Sequence, residues 1–176
     1  MKTGSALGAF IGGTRSGKSK IAQSWLLQSH TSIEYVATLG ADHVLSERVV
    51  LHKSTRSRQV DTIELENGDQ LLQVIKHAQK PLLIDSLGTW LTRYKDFEAP
   101  LARLIEELES ATQDIAVVGE LVGDGIHGQT ELERSFIDRL GEANQALRGL
   151  ATHSYLVVAG GVVSIIEPTW GKPNVL

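Results

Sequence analysis

The pattern that most constrains this chain is a glycine-rich run near its N-terminus. Gly12-Gly13-Thr14-Arg15-Ser16-Gly17-Lys18-Ser19 matches the spacing G-x-x-x-x-G-K-[ST]. Apolar residues from Ala6 to Ile11 predict a strand before it, and the spacing from Lys18 to Gln28 predicts a helix after it, with one apolar face formed by Ile21, Ala22, Trp25 and Leu26. A glycine loop between a strand and a helix is the context of a phosphate-binding P-loop. The alternative is a chance glycine turn before a helix.

The residue types in this run predict nucleotide chemistry. Backbone N–H groups of the glycine loop can wrap phosphates, and the helix N-terminus adds its dipole. We expect Lys18 to reach the β- and γ-phosphates as a catalytic residue, and Ser19 to offer its hydroxyl to Mg²⁺. The predicted nucleotide-binding residues of the loop are Gly12, Gly13, Thr14, Arg15, Ser16, Gly17, Lys18 and Ser19.

The order of elements along the chain predicts an α/β fold. Further strands are predicted at Ile33–Ala37, Thr62–Leu65, Leu82–Ile84, Ile115–Val118 and finally Tyr155–Val158. Helices are predicted from about His43 to Thr55, at Gln70–Ala78, through Trp90 and Leu91, and at Leu101–Leu108 and Glu131–Leu150, with a loop at Asp96–Pro100. This alternation favours a mostly parallel central sheet with helices on both faces and ligands beyond the carboxyl ends of the strands. We predict the three-layer P-loop NTPase fold of the RecA-like type, as one domain over residues 1–176 with an irregular tail at 167–176.

Three acidic residues are candidates for the same edge of the sheet. Asp85 ends an apolar strand, where an acidic residue can hold Mg²⁺ or its waters, although an aspartate that caps the next helix would look the same. Glu120 opens the glycine-rich loop Glu120–Ile126, which could close over a ligand or be a flexible connection with a strand-end acid. Glu64, in the short strand Thr62–Leu65, completes the predicted nucleotide-binding set.

A cationic stripe lies in the polar helix predicted near residue 50. Arg48, His52 and Arg56 recur every four residues, so a helix places an imidazole between two guanidinium groups, with Lys53 beside them. This stripe could face a triphosphate. A histidine on a charged helix is more often simply solvated, and the spacing does not decide between the two interpretations.

Composition narrows the range of partners. The 17 basic and 21 acidic residues give a net charge of −4, which predicts no binding to nucleic acid. The absence of cysteine excludes disulfides, thiolate metal sites and cysteine nucleophiles. No run of 18 apolar residues occurs, so we expect no membrane span and a cytoplasmic location.

Several motifs in one order resemble the bifunctional adenosylcobinamide kinase/adenosylcobinamide-phosphate guanylyltransferases of cobalamin biosynthesis. The resemblance covers roughly residues 6 to 165. Its motifs are Gly12–Ser19, Tyr35-Val36-Ala37-Thr38, Arg48-x-x-x-His52-Lys53-x-x-Arg56, Glu120-x-x-Gly123-x-Gly125-Ile126, and Arg134-x-Phe136-x-Asp138-x-x-Gly141-x-x-Asn144-Gln145.

The resemblance implies a two-step enzyme. Members phosphorylate adenosylcobinamide with ATP or GTP, and then transfer GMP from GTP to that phosphate through a guanylylated histidine, which His52 matches. It also implies that Arg48, Lys53 and Arg56 bind nucleotide, that Glu120 contributes at the substrate or metal, and that the protein is a homotrimer.

The chain departs from the family pattern beside the second loop. Gly119 stands where members usually carry asparagine, His127 where an aliphatic residue is usual, and Gly128 where proline is usual. Two alternatives therefore stay open: a kinase without guanylyl transfer, and a regulatory nucleotide-binding module that has lost corrinoid chemistry.

Overall fold

A seven-stranded sheet forms the centre of the described part of the chain. The structure is a computed structural model, and it describes residues 4–39, 59–123 and 128–167. The strand order is β3-β2-β4-β5-β1-β6-β7, and only the pairing of β7 with β6 is antiparallel. The strands are β1 Leu7–Gly12, β2 Ile33–Ala37, β3 Val60–Glu64, β4 Leu82–Asp85, β5 Ile115–Glu120, β6 His153–Val158 and β7 Gly161–Ser164.

Helices follow most of the parallel strands, as predicted. They are α1 Lys18–Leu27, α2 Gln70–His77, α3 Leu87–Leu91, α4 Leu101–Ser110 and α5 Glu131–Leu150. A short 3₁₀ turn at Lys95–Phe97 occupies the start of the predicted loop. The polar helix predicted near residue 50 lies outside the described residues. Among residues 4–39, 59–123 and 128–167, every helix is too short or too polar to cross a membrane.

Side chains of the central strands contribute to two apolar clusters, one on each face of the sheet, because alternate residues of a strand point to opposite faces. On one face, Phe10, Leu83 and Val118 pack with Ala22 and Leu26 of α1. The other face buries a larger cluster with the remaining helices: Leu7, Ile84, Val117, Leu71, Leu104, Leu140 and Leu147. Helices therefore cover both faces, and the architecture is the predicted three-layer α/β fold of P-loop NTPases.

The last strand was not predicted. Tyr155–Val158 was expected to be the final strand, but the chain turns at Ala159 and Gly160 and returns as β7. Both turn residues have positive φ, 49° and 81°, as a two-residue hairpin turn requires. All four residues of β7 are exposed, so the alternation of apolar and polar residues that reveals a half-buried strand is missing there.

Candidate functional site

The glycine-rich loop connects β1 to α1, as the sequence predicted. Ser16 N donates to Gly13 O at 3.3 Å, and Ile21 N donates to Gly17 O at 3.1 Å, where the helix begins. Lys18 is buried, and its Nζ donates to Gly13 O at 3.1 Å, so its side chain lies back along the loop. Thr14 and Arg15 are exposed, whereas Ser19 is partly buried in the first turn of α1.

The β6–β7 turn supports this loop from one side. Gly160 N donates to Ser16 O at 2.9 Å. Gly12 also lies so close to β6 that an added Cβ would collide with Val157 O. The loop is thus packed between the end of β1 and the hairpin that the sequence did not predict.

Asp85 lies at the end of β4, on the same face of the sheet as α1. Tyr35 Oη donates to Asp85 Oδ2 at 2.6 Å, and Thr38 N donates to Asp85 O at 3.1 Å. The carboxylate is partly buried. The alternative that Asp85 caps the next helix is wrong, because Ser86 occupies the N-cap of α3.

Glu120 is the last residue of β5, and its Cα is paired with that of Gly12. Its carboxylate accepts hydrogen bonds from Ser86 Oγ and from Gly88 N, the latter at 2.9 Å. The backbone continues this link, because Leu121 N donates to Gly12 O at 3.0 Å. Glu120 therefore joins the start of the P-loop to the start of α3. Since residues 124–127 lie outside the described residues, closure of this loop over a ligand stays a prediction.

The surrounding polar residues were not found by sequence reasoning. Thr38 Oγ1 accepts from Ser86 N at 2.7 Å, and Asn144 Nδ2 donates to Glu120 O at 2.9 Å. Thr38 and Asn144 stand inside motifs of the family resemblance, which was the available signal, but no pattern assigned them a partner. Ser86 and Gly88 carried no signal, because they approach Glu120 only through the pairing of β4 with β5.

Two departures from the family pattern are places of close packing. An added Cβ at Gly119 would collide with Asn144 Oδ1, and one at Gly128 would lie 2.8 Å from the backbone nitrogen of Arg134. Glycine at these two positions thus lets β5 and the loop end approach α5. The third departure, His127, lies outside the described residues.

Of the remaining predicted residues, only Glu64 belongs to the described part of the chain, and it lies away from the P-loop. Glu64 ends β3, four strands from β1, which is about 19 Å at the usual strand spacing. It shares a row with Ala37 and Asp85. The cationic stripe lies outside the described residues, which stop at Leu39, two residues beyond the carboxyl end of β2, and resume at Gln59. Its members are Arg48, His52, Lys53 and Arg56.

Comparisons with known proteins identify the family of the chain. A family model described as cobinamide kinase / cobinamide phosphate guanyltransferase matches residues 9–165. The bifunctional adenosylcobalamin biosynthesis protein CobP of Pseudomonas aeruginosa is 28% identical, over 93% of this chain and 96% of that protein. The corresponding protein CobU of Escherichia coli is also 28% identical, over 88% of this chain and 96% of its own length.

A solved structure adds a likeness of fold alone. The KaiC-like protein of Pyrococcus horikoshii OT3 superimposes with a TM-score of 0.52 at 14% identity, over 86% of this chain and 71% of that one. The family match is much more specific, because it covers the P-loop, Asp85, Glu120 and the segment that contains His52. The chain therefore belongs to the cobinamide kinase / cobinamide phosphate guanyltransferase family of bifunctional enzymes.

Proposed function

We propose that this enzyme phosphorylates adenosylcobinamide with ATP or GTP and then transfers GMP from GTP to the product, giving adenosylcobinamide-GDP. The observation that carries the proposal is the arrangement of Lys18, Asp85 and Glu120 at the carboxyl ends of three adjacent strands. The P-loop follows β1, Glu120 ends the neighbouring β5, and Asp85 ends β4 beyond it. A nucleotide phosphate and an acceptor can meet at this edge.

The kinase step uses the P-loop. Lys18 is buried and donates to Gly13 O, and in the proposed kinase step it would turn from this carbonyl to the β- and γ-phosphates. Backbone N–H groups at the start of α1 offset the charge that develops on the transferred phosphoryl group. The acceptor hydroxyl oxygen forms a bond to the γ-phosphorus as the bond to the nucleoside diphosphate breaks, and the hydroxyl proton is released to solvent.

Mg²⁺ fits the residues present, and we propose Ser19 and Asp85 as its site. Within the described ranges no three acidic, histidine or cysteine side chains gather into a metal cage. Mg²⁺ does not need one, because it commonly binds through one or two protein oxygens together with phosphates and waters. Asp85 is an ionisable oxygen ligand whose orientation is fixed by the hydrogen bond from Tyr35 Oη. When bound, the ion would neutralise charge on the β- and γ-phosphates.

The transferase step uses His52. A neutral imidazole nitrogen attacks the α-phosphorus of GTP, the bond to pyrophosphate breaks, and a phosphoramidate forms. A phosphate oxygen of adenosylcobinamide phosphate then attacks the same phosphorus, and the bond to the histidine breaks. Arg48, Lys53 and Arg56 would offset the negative charge in both transfers. We base these roles on the family membership, since these residues lie outside the described ranges.

An apolar cavity next to Glu120 supports the binding of a bulky acceptor. The cavity has a volume of about 660 Å³, and its walls include Phe97, Val122, Leu132 and Phe136. Gly88 connects it to the site, because an added Cβ there would lie 2.7 Å from Glu120 Oε2 and 3.5 Å from Phe136 Cζ. We propose that part of the corrinoid occupies this cavity, with its phosphorylated arm directed past Glu120.

The test is covalent labelling with GTP that carries a labelled α-phosphate, in the presence of Mg²⁺. We expect acid-labile label on the wild-type protein and on His77→Ala, an exposed histidine at the end of α2, but none on His52→Ala. Addition of adenosylcobinamide phosphate should discharge the label into adenosylcobinamide-GDP. If the wild-type protein phosphorylates cobinamide but acquires no label from GTP, this result would contradict the guanylyl-transfer step. The protein would then be a kinase only.

We also propose that the enzyme is a cytoplasmic homotrimer. Exposed apolar side chains such as Val158 and Ile166, which are 58% and 78% exposed, are suited to burial between subunits. Light scattering should give three times the 19.1 kDa of one chain. A monomeric mass at micromolar concentration would contradict the trimer.

A further inference from the structure

Thr38, the residue directly after β2, is polar and completely buried. Its exposed fraction is 0%, and it lies at the carboxyl edge of the sheet, the edge from which the P-loop also departs. Neither step of the proposed chemistry uses its side chain. A buried hydroxyl is costly unless it is hydrogen-bonded, so the partners of Thr38 show what the residue holds in place.

Thr38 binds both polar groups of the peptide that joins Asp85 to Ser86. Its backbone N donates to Asp85 O at 3.1 Å, and its Oγ1 accepts from Ser86 N at 2.7 Å. The same Oγ1 donates to Ser86 O at 2.8 Å. The pairing of β2 with β4 ends at Ala37 and Asp85, so the hydroxyl continues the link between the two strands where their pairing stops.

The Asp85 carboxylate is held from the same strand. Tyr35 Oη donates to Asp85 Oδ2 at 2.6 Å, and Tyr35 lies three residues before Thr38 in one sequence motif. Asp85 is therefore fixed at two points, its carboxylate by Tyr35 and its main chain by Thr38. A functional side chain needs this kind of support, because its geometry has to be held to within about 0.5 Å.

Thr38 also acts on Glu120 through Ser86. Ser86 is 3% exposed, and its Oγ donates to Glu120 Oε1. Because Thr38 binds both backbone groups of Ser86, it fixes the main chain from which this hydroxyl extends. Two carboxylates of the proposed site thus depend on one threonine hydroxyl.

The main chain of Thr38 is anchored on its other side. Arg93 Nη1 donates to Thr38 O at 3.3 Å, and Arg93 Nη2 donates to Leu65 O at 2.8 Å. Leu65 directly follows β3, so the guanidinium connects the ends of β2 and β3. The backbone N–H, the carbonyl and the hydroxyl of Thr38 all have partners, and the residue is a fixed support for Asp85.

We propose that Thr38 is a positioning residue for the metal-bound nucleotide, and that its hydroxyl orients the Asp85 carboxylate toward Mg²⁺. The inference rests on the proposed Mg²⁺ site at Ser19 and Asp85 and adds the residue that orients one of its ligands. Thr38 acts through Asp85 rather than by touching the nucleotide or the ion. Loss of the hydroxyl should therefore weaken the contribution of the metal and leave phosphate binding by the P-loop unchanged.

Thr152 gives a matched control. Its Oγ1 accepts from Leu7 N at 3.0 Å and donates to Leu7 O at 3.0 Å, the same pair of bonds that Thr38 Oγ1 makes to Ser86. Leu7 begins β1, so this contact lies at the edge of the sheet opposite the P-loop. Thr38→Val and Thr152→Val both keep the branched shape and remove a hydroxyl. Both should lower the free energy of unfolding, but only Thr38→Val should change metal binding.

The measurement is the Kd of β,γ-imido-GTP, a non-hydrolysable analogue, for the full chain with excess Mg²⁺ and with EDTA. The ratio of the EDTA value to the Mg²⁺ value is the contribution of the metal to nucleotide affinity. We expect wild type, Thr152→Val and Thr38→Ser to share one ratio, because Thr38→Ser keeps the hydroxyl. Thr38→Val should lower the ratio about tenfold, as removal of groups that orient metal ligands typically does, with its Kd in EDTA unchanged.

An unchanged ratio in folded Thr38→Val would overturn the inference. An equal fall in Thr152→Val would also overturn it, because lost stability alone would then explain the effect. If Thr38→Val does not fold, Thr38→Cys takes its place, since it differs from Thr38→Ser in one atom and its thiol is only a weak hydrogen-bonding group. Thr38→Cys should then have the lower ratio, and equal ratios in Thr38→Cys and Thr38→Ser would overturn the inference.

The ratio in the wild type separates this inference from the proposed function. A wild-type ratio of one would contradict the proposed Mg²⁺ site and overturn the role of Thr38 together with it. A wild-type ratio well above one that persists in Thr38→Val would overturn the positioning role alone and leave the proposed kinase step standing.

Discussion

At the scale of the residue, Gly119 controls how the end of β5 meets α5. It has no room for a side chain, because an added Cβ would collide with Asn144 Oδ1. The side-chain amide of Asn144 cannot move away freely, because its Nδ2 donates a hydrogen bond to Glu120 O at 2.9 Å. A side chain at position 119 should therefore displace Asn144, and through Asn144 it should shift the backbone of Glu120.

We predict that Gly119→Ala lowers the free energy of unfolding by about 2 kcal/mol, because overpacking of a tight site typically has this cost. The variant should also lose cobinamide phosphorylation, as Glu120 shifts. Denaturant unfolding and initial rates measure the two effects. Gly149→Ala, in α5 with nothing within 4 Å of an added Cβ, is the control and should be as stable as the wild type or more so. A Gly119→Ala protein as stable and active as Gly149→Ala would contradict the packing argument.

The P-loop residues could be predicted from sequence, but the partners of Glu120 could not. Gly12 to Ser19 are contiguous, and each residue type has a chemical reason at its position. Glu120 instead depends on Ser86, which is 34 residues earlier in the chain, and on Asn144, which is 24 residues later. Nothing in one sequence shows that these residues meet, because their proximity comes from strand order and helix packing.

At the scale of the element, the N-terminus of α5 is held by a capping box. Glu133 N donates to Thr130 Oγ1 at 3.1 Å, and the Glu133 carboxylate accepts from Thr130 N at 3.0 Å and Gln129 N at 2.7 Å. These backbone N–H groups, first that of Thr130 and then that of Gln129, lower the pKa of Glu133 from its ordinary value of 4.5. The described chain resumes at Gly128, after residue 127, and the capping box holds the backbone just after this point. This part of the chain lies beside the proposed acceptor cavity.

We predict that Glu133→Gln destabilises the protein at neutral pH but not in acid. A carboxyl whose pKa is lowered by folding adds stability above its unfolded pKa, and that contribution is lost as the pH falls through the folded pKa. The difference in melting temperature between wild type and Glu133→Gln should therefore be constant above about pH 5.5 and shrink steadily below pH 4.5. Glu131→Gln, in the same helical turn, controls for loss of charge near the helix dipole. A pH-independent difference would contradict the role of the ionised carboxylate.

Helices were easier to predict than the edges of the sheet. Glu131–Leu150 was predicted with the observed bounds because its helical pattern is long. The structure adds a capping box at its start, formed by Thr130 and Glu133. β7 was missed because Gly161–Ser164 is short, exposed and begins with glycine. Its only local signal is the turn at Ala159 and Gly160, and alanine is an unusual residue at positive φ.

At the scale of the whole molecule, the sheet explains why distant motifs form one site. The predicted alternation of strands and helices implied parallel strands, whose carboxyl ends share an edge. It did not imply the order β4-β5-β1-β6, which places the acidic residues on one side of the P-loop and the β6–β7 hairpin on the other. That order depends on pairings between strands that are far apart in the chain, and a single sequence does not reveal it.

Because the P-loop touches three parts of the sheet, nucleotide binding should stabilise the entire fold. The loop continues β1 directly, Leu121 N after β5 donates to Gly12 O, and Gly160 N in the hairpin turn donates to Ser16 O. A ligand that binds only the folded state at 100 times its Kd adds about 2.7 kcal/mol to the free energy of unfolding. For a domain of this size that corresponds to a rise in melting temperature of roughly 5–10 °C.

We predict this rise for the wild type with GTP and Mg²⁺ in a thermal unfolding assay, and its near absence in Lys18→Ala. The lysine is expected to supply the main side-chain charge for the β- and γ-phosphates, and without it the same GTP concentration falls below the Kd of the variant. Lys76→Ala, an exposed lysine on α2 in the sheet's other helical layer, should keep the full shift. Equal shifts in Lys18→Ala and Lys76→Ala would mean that GTP binds elsewhere on the molecule.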